Sequence, residues 1–201
     1  MLQEPKNYHL IGDFSSYRRI FDEGHTFCVF DTETTGLKAE EERIIEIGAV
    51  KFDKTGFIGQ FGTLIDPEKE ISSKITSITG ITNGMLSGQP KAEEAVPNFM
   101  DFAKDCILVA HNAPFDLRFM NCELMRLGRP TITSMAIDTL KFARWAYPEF
   151  GHWNQPFLAE ALGVKITSAH RAYDDARVCM EIFRKMLDCE KLKKKTTNRL
   201  N

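Results

Sequence analysis

The sequence has no long hydrophobic run, and this absence excludes a helix that would cross a membrane. A membrane-spanning helix needs about 20 consecutive apolar residues, and no stretch of the chain approaches that length. The N-terminus also lacks the apolar segment of a secretory signal peptide. We therefore expect a cytoplasmic protein that has no membrane partner.

Cysteine is present, but it lacks any pattern that would cross-link the chain or hold a metal. The number of cysteines is odd, their spacing is wide, and no Cys-x-x-Cys motif occurs. The pattern is not that of a disulfide framework or a zinc site, and we expect reduced thiols. The five cysteines are Cys28, Cys106, Cys122, Cys179 and Cys189.

The sequence also lacks an excess of positive charge, because it contains 26 basic and 28 acidic residues and has a net charge of -2. No global positive field marks a nucleic-acid-binding protein, although a local basic stripe remains compatible with this balance. A phosphate-binding P-loop, a Cys/His cluster and a serine nucleophile with an obvious base are missing as well. Kinase, zinc-finger and serine-hydrolase functions therefore have no support.

At 201 residues, 43% of them hydrophobic, the chain has the size and composition of one globular domain with a full-sized core. We divide it into an N-terminal arm at 1–25, a main domain at 26–190 and a basic tail at 191–201. Apolar residues at helical spacing predict that the arm packs on the domain. The lysine run of the tail could follow a nucleic-acid backbone, although such runs are more often solvated chain ends.

The order of the hydrophobic patterns predicts an α/β fold. Three β-rich runs come first, and a turn at 53–56 joins the second run to the third as a hairpin. Further strands then alternate with helices, so we predict a mixed sheet, antiparallel at its start and parallel afterwards, covered by helices. The strands are expected at 27–30, 44–52, 57–65, 107–110 and 132–137, and the helices at 91–104, 114–128, 139–145, 157–162 and 172–189.

Two acids follow the first buried strand directly. Residues two apart in a strand point to the same face, so the carboxylates of Asp31 and Glu33 are predicted to lie side by side. Like charges at this distance raise each other's pKa and destabilise the fold unless a cation joins them. The alternative is that the strand reaches the surface and both acids are solvated before a turn at Gly36. This stretch alone supports the two interpretations equally.

A third acid, Asp116, lies in the first turn of the helix that begins at Pro114. An exposed acid at this position would only complement the helix dipole, by well under about 1 kcal/mol. The side chains on the same helical face are apolar, however, so the carboxylate is predicted to face the core, where it needs a partner or a metal. These apolar residues are Phe119, Met120, Leu124 and Leu127.

The last long helix begins with two adjacent aspartates, which lie about 100° apart around the helix axis. The helical face of Asp174 continues with charged residues, whereas that of Asp175 continues with apolar ones, so Asp175 is predicted to point inward. His170 precedes this helix. A lone histidine there is more often a cap or a surface residue than a catalyst, and the spacing alone leaves its role open.

Three separated segments thus each supply inward carboxylates. Four converging acids cannot all ionise in a dry cleft without cations. Two divalent metals held about 3.5–4 Å apart are the usual solution where phosphodiester bonds are cleaved. Ligands that offer only oxygen atoms favour Mg²⁺ or Mn²⁺ over zinc.

The same three segments carry a family resemblance. Asp31-Thr-Glu33-Thr-Thr-Gly, His111-Asn-Ala-Pro-Phe-Asp116 and His170-Arg-Ala-Tyr-Asp-Asp175 resemble the three motifs of the DEDD exonucleases in their histidine-containing branch. Among these, the chain is most similar to the epsilon-type proofreading exonucleases of bacterial DNA polymerase III, with order and spacing matching from about residue 26 to 187. The resemblance implies a ribonuclease H-like fold and the removal of nucleotides from a 3′ end.

The resemblance also implies roles for individual residues. Asp31, Glu33, Asp116 and Asp175 would hold two divalent cations, Mg²⁺ or Mn²⁺, and His170 would be the general base, a role that suits a group titrating near neutrality. His111 is interpreted as structural. Contacts with the terminal nucleotide are expected from Thr34, Leu37, Ile78, Asn112 and Phe115.

These substrate contacts have alternatives. Ile78 and Phe115 are equally compatible with plain core positions, and Asn112 with a helix cap. The family often has a histidine where this chain has Thr79, and this difference concerns how the last phosphate or sugar is gripped.

We therefore expect a metal-dependent 3′→5′ exonuclease that acts on single-stranded DNA 3′ ends and releases 5′-mononucleotides, as a proofreading or repair enzyme. One alternative is an exoribonuclease that acts on short or structured RNA ends, because no motif fixes recognition of a 2′-hydroxyl. Another is a non-catalytic module that binds a polymerase or nucleic acid. The chain carries no polymerase region, so proofreading would require a polymerase subunit as partner, and composition leaves the oligomeric state open.

Overall fold

The computed structural model describes residues 8–166 and 171–197 of the chain. A six-stranded sheet with the strand order β1-β6-β5-β2-β3-β4 runs through it. The strands are β1 (His9–Leu10), β2 (Phe27–Thr34), β3 (Ile44–Asp53), β4 (Gly56–Leu64), β5 (Ile107–Ala110) and β6 (Met135–Asp138).

The sheet is mixed, as the sequence predicts. Strands β2, β3 and β4 pair antiparallel, whereas β5 pairs parallel with β2, β6 with β5 and β1 with β6. Strand β1 lies in the segment interpreted as an arm, and it adds an edge strand through His9 and Leu10. Two residues are too few to show an alternating pattern, so the sequence does not reveal this strand.

The described residues form nine α-helices, and 3₁₀ turns occur at Phe14–Ser16 and Pro148–Phe150. All five predicted helices are present, with ends that differ by a few residues. The α-helices are α1 (Tyr17–Asp22), α2 (Ser73–Thr79), α3 (Asn83–Leu86), α4 (Ala92–Phe102), α5 (Pro114–Arg126), α6 (Thr139–Ala146), α7 (Gln155–Leu162), α8 (Ala172–Met186) and α9 (Glu190–Thr197).

Several element ends differ from the sequence prediction. Strand β2 continues beyond residue 30 to Thr34, so Asp31 and Glu33 lie within the strand and do not follow it. Strand β6 begins only at Met135, because the backbone N–H of Ile132 donates to the side-chain oxygen of Asn121 at 2.8 Å instead of to a neighbouring strand. The helix predicted at 172–189 ends at Met186, as α8, and a separate helix that was not predicted, α9, follows it. Helix α9 contains much of the predicted basic tail, and the ammonium of Lys191 donates to the backbone oxygen of Trp145 at 2.6 Å.

Side chains that cap the helices explain several of the boundaries. Asp138 accepts a hydrogen bond from the backbone N–H of Leu140 at the start of α6, and Asn154 does the same for Phe157 in α7. Helix α2 is capped at its C-terminal end by Gly80, which has a left-handed φ of 71° that a residue without a side chain adopts readily.

The core lies on both faces of the sheet. Alternate residues of β2 point to opposite sides, so Phe27 belongs to one buried cluster and Phe30 to the other. Helices α6, α7 and α8 cover the first face, and α4 and α5 cover the second. The five cysteines are buried free thiols. Among the described residues, no helix is long and apolar enough to span a bilayer.

The start of α8 lies directly on β3. A Cβ atom built on Gly48 would lie only 2.0 Å from the backbone nitrogen of Tyr173, so no larger residue fits between the strand and the helix. Gly48 pairs with Asp31 across β2 and β3. This close approach therefore brings the first turn of α8, with its two aspartates, over the acidic end of β2.

Candidate active site

Three of the predicted acids converge where β2 meets α8. Asp31 and Glu33 project from β2, and Asp175 reaches them from the first turn of α8. Each of the three offers a carboxylate oxygen, and these oxygens all lie within 4.8 Å of one another. Such a cluster of oxygen donors is suited to a divalent cation.

The fourth acid, Asp116, borders the same cleft from α5. Its side chain is only 3% exposed, and one carboxylate oxygen accepts hydrogen bonds from both the backbone N–H and the hydroxyl of Thr32, at 3.0 and 2.8 Å. Thr32 lies between Asp31 and Glu33 in β2, so these bonds fix the helix to the strand that carries the other acids. The cleft has a volume of about 270 Å³, and all four acids line it.

Burial makes these acids harder to ionise when no cation is bound. It raises the pKa of Asp31 well above its usual range, and the charges of Asp116 and Asp175 raise it further. The pKa of Glu33 rises to about 7, chiefly through burial and then through the charge of Asp175. The pKa of Asp116 also rises to about 7, because burial outweighs the hydrogen bonds from Thr32. A cation would restore the ionised form of each group, so the residues fit a divalent metal.

An ion pair between the buried Glu46 and the exposed Arg171 fixes the start of α8, and the sequence analysis missed it. Glu46 on β3 is 6% exposed and accepts hydrogen bonds from the guanidinium of Arg171, the shortest 2.8 Å long, and from the backbone N–H of Ala172 at 3.1 Å. The charge of Arg171 also lowers the pKa of Glu33 in part, opposing the effect of burial. An acid inside the apolar stretch Ile44–Val50 was the signal that could have revealed this anchor.

His111 lines the cleft, and its contacts agree with the structural interpretation. Its Nδ1 lies 3.0 Å from the hydroxyl oxygen of Thr139 at the start of α6. Burial lowers the pKa of the imidazole, which favours the neutral form. His170, the predicted general base, lies outside the described residues.

The predicted substrate contacts divide into two groups. Asn112 and Phe115 line the acidic cleft, whereas Thr34, Leu37 and Ile78 are not among the described residues that line it. The hydroxyl of Thr34 donates to the backbone oxygen of Gly36 at 2.7 Å.

The alternatives proposed for Ile78 and Asn112 are wrong. Ile78 is 46% exposed and is not a core residue. Asn112 is not the helix cap, because Ala113 occupies that position and Asn112 has a left-handed φ of 65°. Its backbone N–H instead donates to the carboxylate of Asp138 at 3.2 Å.

The cleft also contains residues that the sequence analysis did not select. The side-chain nitrogen of Gln155 donates to the backbone oxygen of Asp175 at 2.8 Å, which supports the first turn of α8 from the side of α7. Ile166 and Val178 add apolar surface to the cleft wall. No motif or charge pattern in the sequence marks these positions.

Comparisons with known proteins agree with this geometry. Residues 28–183 match the RNase_T family model, which describes exonucleases. Over 163 residues the chain is 47% identical to the DNA polymerase III subunit epsilon of Treponema pallidum (strain Nichols), covering 80% of this chain and 76% of that protein. It is 41% identical over 158 residues to the PolC-type DNA polymerase III of Clostridium perfringens, covering 79% of this chain but only 11% of the longer protein.

Solved structures of exonucleases have a similar fold. Exonuclease I superposes with a TM-score of 0.74 at 18% identity, over 83% of this chain and 42% of that one. Exonuclease X in complex with 5′ overhanging duplex DNA superposes with a TM-score of 0.65 at 25% identity, over 80% of this chain and 90% of that one. A structure of E. coli exonuclease I with a dA16 oligonucleotide gives a TM-score of 0.71 at 19% identity, over 82% of this chain and 41% of that one.

Proposed function

The chain belongs to the exonuclease family as a 3′→5′ exonuclease of the DNA polymerase III epsilon type, and from that premise we propose that its acidic cleft hydrolyses the terminal phosphodiester bond at single-stranded DNA 3′ ends. The observation that carries the proposal is the convergence of Asp31, Glu33 and Asp175, whose carboxylate oxygens lie within 4.8 Å of one another. These acids come from two separate segments, and each segment matches a family motif.

In this proposal the four acids hold two divalent cations, Mg²⁺ or Mn²⁺. Bound cations of this kind supply positive charge for the scissile phosphate and for the departing 3′ oxygen. Asp31, Glu33 and Asp175 provide the clustered oxygens, and Asp116 is held in place by its two hydrogen bonds from Thr32.

His170 completes the proposed chemistry as the general base. It takes a proton from the water that attacks phosphorus, and the bond to the 3′ oxygen of the preceding nucleotide breaks, which releases a 5′-mononucleotide. The support for this role is its sequence position in the third motif, directly before Arg171. Histidine is the residue whose ordinary pKa lies closest to neutrality, which suits a general base.

We propose DNA as the substrate and a polymerase as the partner. Two observations support this proposal. The relative that is 47% identical is a subunit of a DNA polymerase. E. coli exonuclease I, which has a similar fold, binds the oligonucleotide dA16. The PolC-type relative contains a similar segment within a much longer polymerase chain, since the match covers 11% of it. Proofreading beside a polymerase fits both relatives.

The experiment uses 5′-labelled DNA and RNA oligonucleotides of identical sequence with Mg²⁺, Mn²⁺ or a chelator. Asp175→Asn and His170→Ala should each abolish most of the shortening ladder, and the chelator should abolish it for the native protein. Asp174→Asn is the matched control, because Asp174 is adjacent but forms an ion pair with Arg177 at 3.7 Å on the same helix.

The outcomes separate the candidate functions. A metal-dependent ladder on DNA that is faster than on RNA supports the proposal. Faster shortening of RNA would reassign the substrate, and no cleavage of either strand with any metal would contradict the catalytic role. Full activity of Asp175→Asn would remove the acidic cleft from the mechanism.

A further inference from the structure

Asp138 is a buried acid that lies outside the three sequence motifs. It is the last residue of β6 and the cap of α6, and it is only 3% exposed. Asp138 forms no ion pair with another described residue. Burying a carboxylate is costly unless hydrogen-bond donors or cations compensate for the lost water, so the groups that surround Asp138 indicate what it does.

Backbone N–H groups from two different elements converge on one oxygen of Asp138. Two of these groups belong to α6, Leu140 at 3.0 Å and Lys141 at 3.4 Å, and they form an ordinary helix cap. The third is the N–H of Asn112, which donates to the same oxygen at 3.2 Å from the turn between β5 and α5. Asp138 therefore joins the start of α6 to the turn that precedes α5.

The turn at Asn112 requires such a contact. Asn112 has a left-handed φ of 65°, a conformation that residues with a side chain seldom adopt and that persists only where the surrounding structure holds it. The carbonyl oxygen of Asn112 accepts the N–H of Phe115 at 2.9 Å, which closes the turn into α5. Ala113 occupies the cap position of α5 and makes no capping bond with its side chain. The carboxylate of Asp138 supplies the side-chain contact that this helix start lacks.

The turn leads directly to a predicted metal ligand. Asp116 lies in the first turn of α5, and it follows Phe115 in the sequence. A displacement of Asn112 would therefore displace the backbone that carries Asp116. Thr32 holds the carboxylate of Asp116 from the side of β2, with bonds of 3.0 and 2.8 Å. The carboxylate is thus held by Thr32, and the start of its helix is held by Asp138.

We propose that Asp138 is a positioning residue for Asp116, which it keeps in reach of a divalent cation through the turn at Asn112. The inference rests on the proposed function, in which Asp116 is a metal ligand. Asp138 itself is not among the described residues that line the cleft, so it acts through Asp116. Capping of α6 accounts for the bonds from that helix, but it does not account for the bond from Asn112.

Two variants separate the cap of α6 from the contact with Asn112. Asp138→Asn keeps an oxygen that can accept all the N–H groups. Asp138→Ser still caps α6, because serine is a good cap, but its side chain is too short to hold Asn112 as well. Thr82→Ala is the matched control, since it removes the cap of α3, where the hydroxyl accepts the N–H of Met85 at 3.3 Å outside the described cleft lining.

The test measures metal binding apart from catalysis. Isothermal titration calorimetry gives the Kd for Mn²⁺ without nucleic acid, and cleavage of a labelled oligonucleotide is followed over a titration of Mg²⁺. We expect Asp138→Ser to raise the Kd about fivefold, the factor for one lost hydrogen bond of ordinary strength. Its kcat should be low at limiting Mg²⁺ and should recover at saturating Mg²⁺, which a folding defect would not do. Asp138→Asn and Thr82→Ala should keep the native Kd.

A double variant tests whether Asp138 acts through Asp116. Thr32→Val removes the hydroxyl that donates to the carboxylate of Asp116. Substitutions at independent sites have additive effects, whereas substitutions that act on the same group are coupled. We therefore expect the combined effect of Asp138→Ser and Thr32→Val on the Kd for Mn²⁺ to differ from the product of the two single effects.

The inference fails if Asp138→Ser binds Mn²⁺ as tightly as the native protein does, because Asp116 would then not depend on the turn. A loss of the same size in Asp138→Asn would contradict a role through hydrogen bonds, and independent effects in the double variant would contradict a role through Asp116. A native protein that binds Mn²⁺ but cleaves neither DNA nor RNA would contradict the proposed function alone, since the calorimetric comparison requires no catalysis.

Discussion

At the scale of single residues, the cleft depends on a hydroxyl that is not itself predicted to touch a metal. Thr32 donates two hydrogen bonds to Asp116, and both lower the pKa of a carboxyl that burial raises to about 7. Near neutral pH, Asp116 is therefore balanced between its protonated and ionised forms. A small change in its hydrogen bonding should change how readily it binds a cation.

We predict that Thr32→Val, which preserves the shape of the side chain, will raise the Mg²⁺ concentration needed for half-maximal activity at pH 7. Loss of the hydroxyl removes one bond to the carboxylate, so the pKa of Asp116 rises further and less of the ionised form is present. The free energy of unfolding should fall by about 1 kcal/mol. Urea denaturation and a metal titration of nuclease activity measure the two effects.

The control for this prediction is Thr63→Val on β4. The hydroxyl of Thr63 donates to the backbone oxygen of Leu64 at 2.9 Å, outside the cleft. This variant should keep the native metal requirement. If Thr32→Val also keeps it, the hydrogen bond to Asp116 does not influence metal binding.

The acids of the site could be predicted from the sequence, but their supporting residues could not. The apolar face of a helix is a local pattern, and it predicts that Asp116 and Asp175 point inward, whereas the two-residue period of the strand predicts only that Asp31 and Glu33 share a face. The bonds of Thr32 and Glu46 reach partners 84 and 126 positions away along the chain. Such contacts depend on how the helices pack on the sheet, which no local pattern specifies.

At the scale of elements, the placement of α8 decides whether Asp175 reaches β2. Two devices fix its first turn, the ion pair between Glu46 and Arg171 and the close approach at Gly48. Both lie on β3, the strand next to the one that carries Asp31 and Glu33. The position of Asp175 therefore depends on β3 as well as on α8.

We predict that Glu46→Gln will lower kcat and raise the Mg²⁺ requirement while leaving the oligonucleotide KM close to native. The amide can still accept the N–H of Ala172, but it loses the ionic contact with Arg171, so the first turn of α8 is held less firmly. The expected loss of unfolding free energy is about 1–3 kcal/mol. Steady-state kinetics over a metal titration, together with urea denaturation, provide the measurements.

Glu181→Gln serves as the comparison for this variant. Glu181 pairs with Arg177 at 2.6 Å on the same helix, away from the described cleft lining. The Glu181→Gln variant should at most lower the free energy of unfolding, and its Mg²⁺ requirement should be unchanged. If Glu46→Gln is less stable but needs the same Mg²⁺ concentration as the native protein, the ion pair has only a structural role.

A second prediction at this scale concerns Gly48→Ala. The added Cβ would meet backbone atoms of Ala172 and Tyr173 at 2.1 and 2.0 Å, and backbone cannot rotate away as a side chain can. We expect destabilisation of about 3 kcal/mol or more, at the upper end for overpacking, and loss of nuclease activity as α8 moves off the sheet. Thermal unfolding and the labelled-oligonucleotide assay report both effects.

Gly62→Ala on β4 is the matched control, because a Cβ there would meet no atom within 4 Å. This variant should unfold close to the native temperature and keep its activity. If both alanine variants behave alike, the contact between β3 and α8 tolerates a larger separation than the structure indicates.

Most elements of the fold could be predicted, because their patterns are long and regular. The mixed sheet, the hairpin at 53–56 and the five helices are confirmed, and the similarity to exonuclease I confirms the ribonuclease H-like fold. Strand β1 is too short to show a period, and the break between α8 and α9 falls in a stretch that remains compatible with a continuous helix. Tertiary contacts decide such boundaries.

At the scale of the whole molecule, the cleft lies where the two halves of the sheet meet. Strand β2 pairs antiparallel with β3 on one side and parallel with β5 on the other. Asp31 and Glu33 lie in β2, and Asp116 lies in α5, the helix after β5, so both halves of the sheet contribute to the site that Asp175 of α8 completes. Open α/β sheets commonly bind ligands beyond the carboxyl ends of their strands at such a change in strand order.

This arrangement makes the stability of the molecule depend on pH in opposite ways with and without metal. The pKa of Glu33 is raised from its ordinary 4.5 to about 7, so between these values the folded protein holds a proton that the unfolded chain has released. Without metal, the free energy of unfolding should therefore fall as the pH rises through this window. Bound metal requires ionised carboxylates, so its stabilising effect should instead grow with pH.

We predict that the difference in Tm between samples with saturating Mg²⁺ and samples with chelator will be larger at pH 8 than at pH 5.5. Asp31→Asn should be more stable than the native protein in chelator at pH 8, because it removes one of the repelling charges, and it should lose most of the gain from Mg²⁺. Asp174→Asn should behave as the native protein does. An equal gain from Mg²⁺ at both pH values would mean that the buried acids are not the groups that bind it, since their protonation would then not compete with the metal.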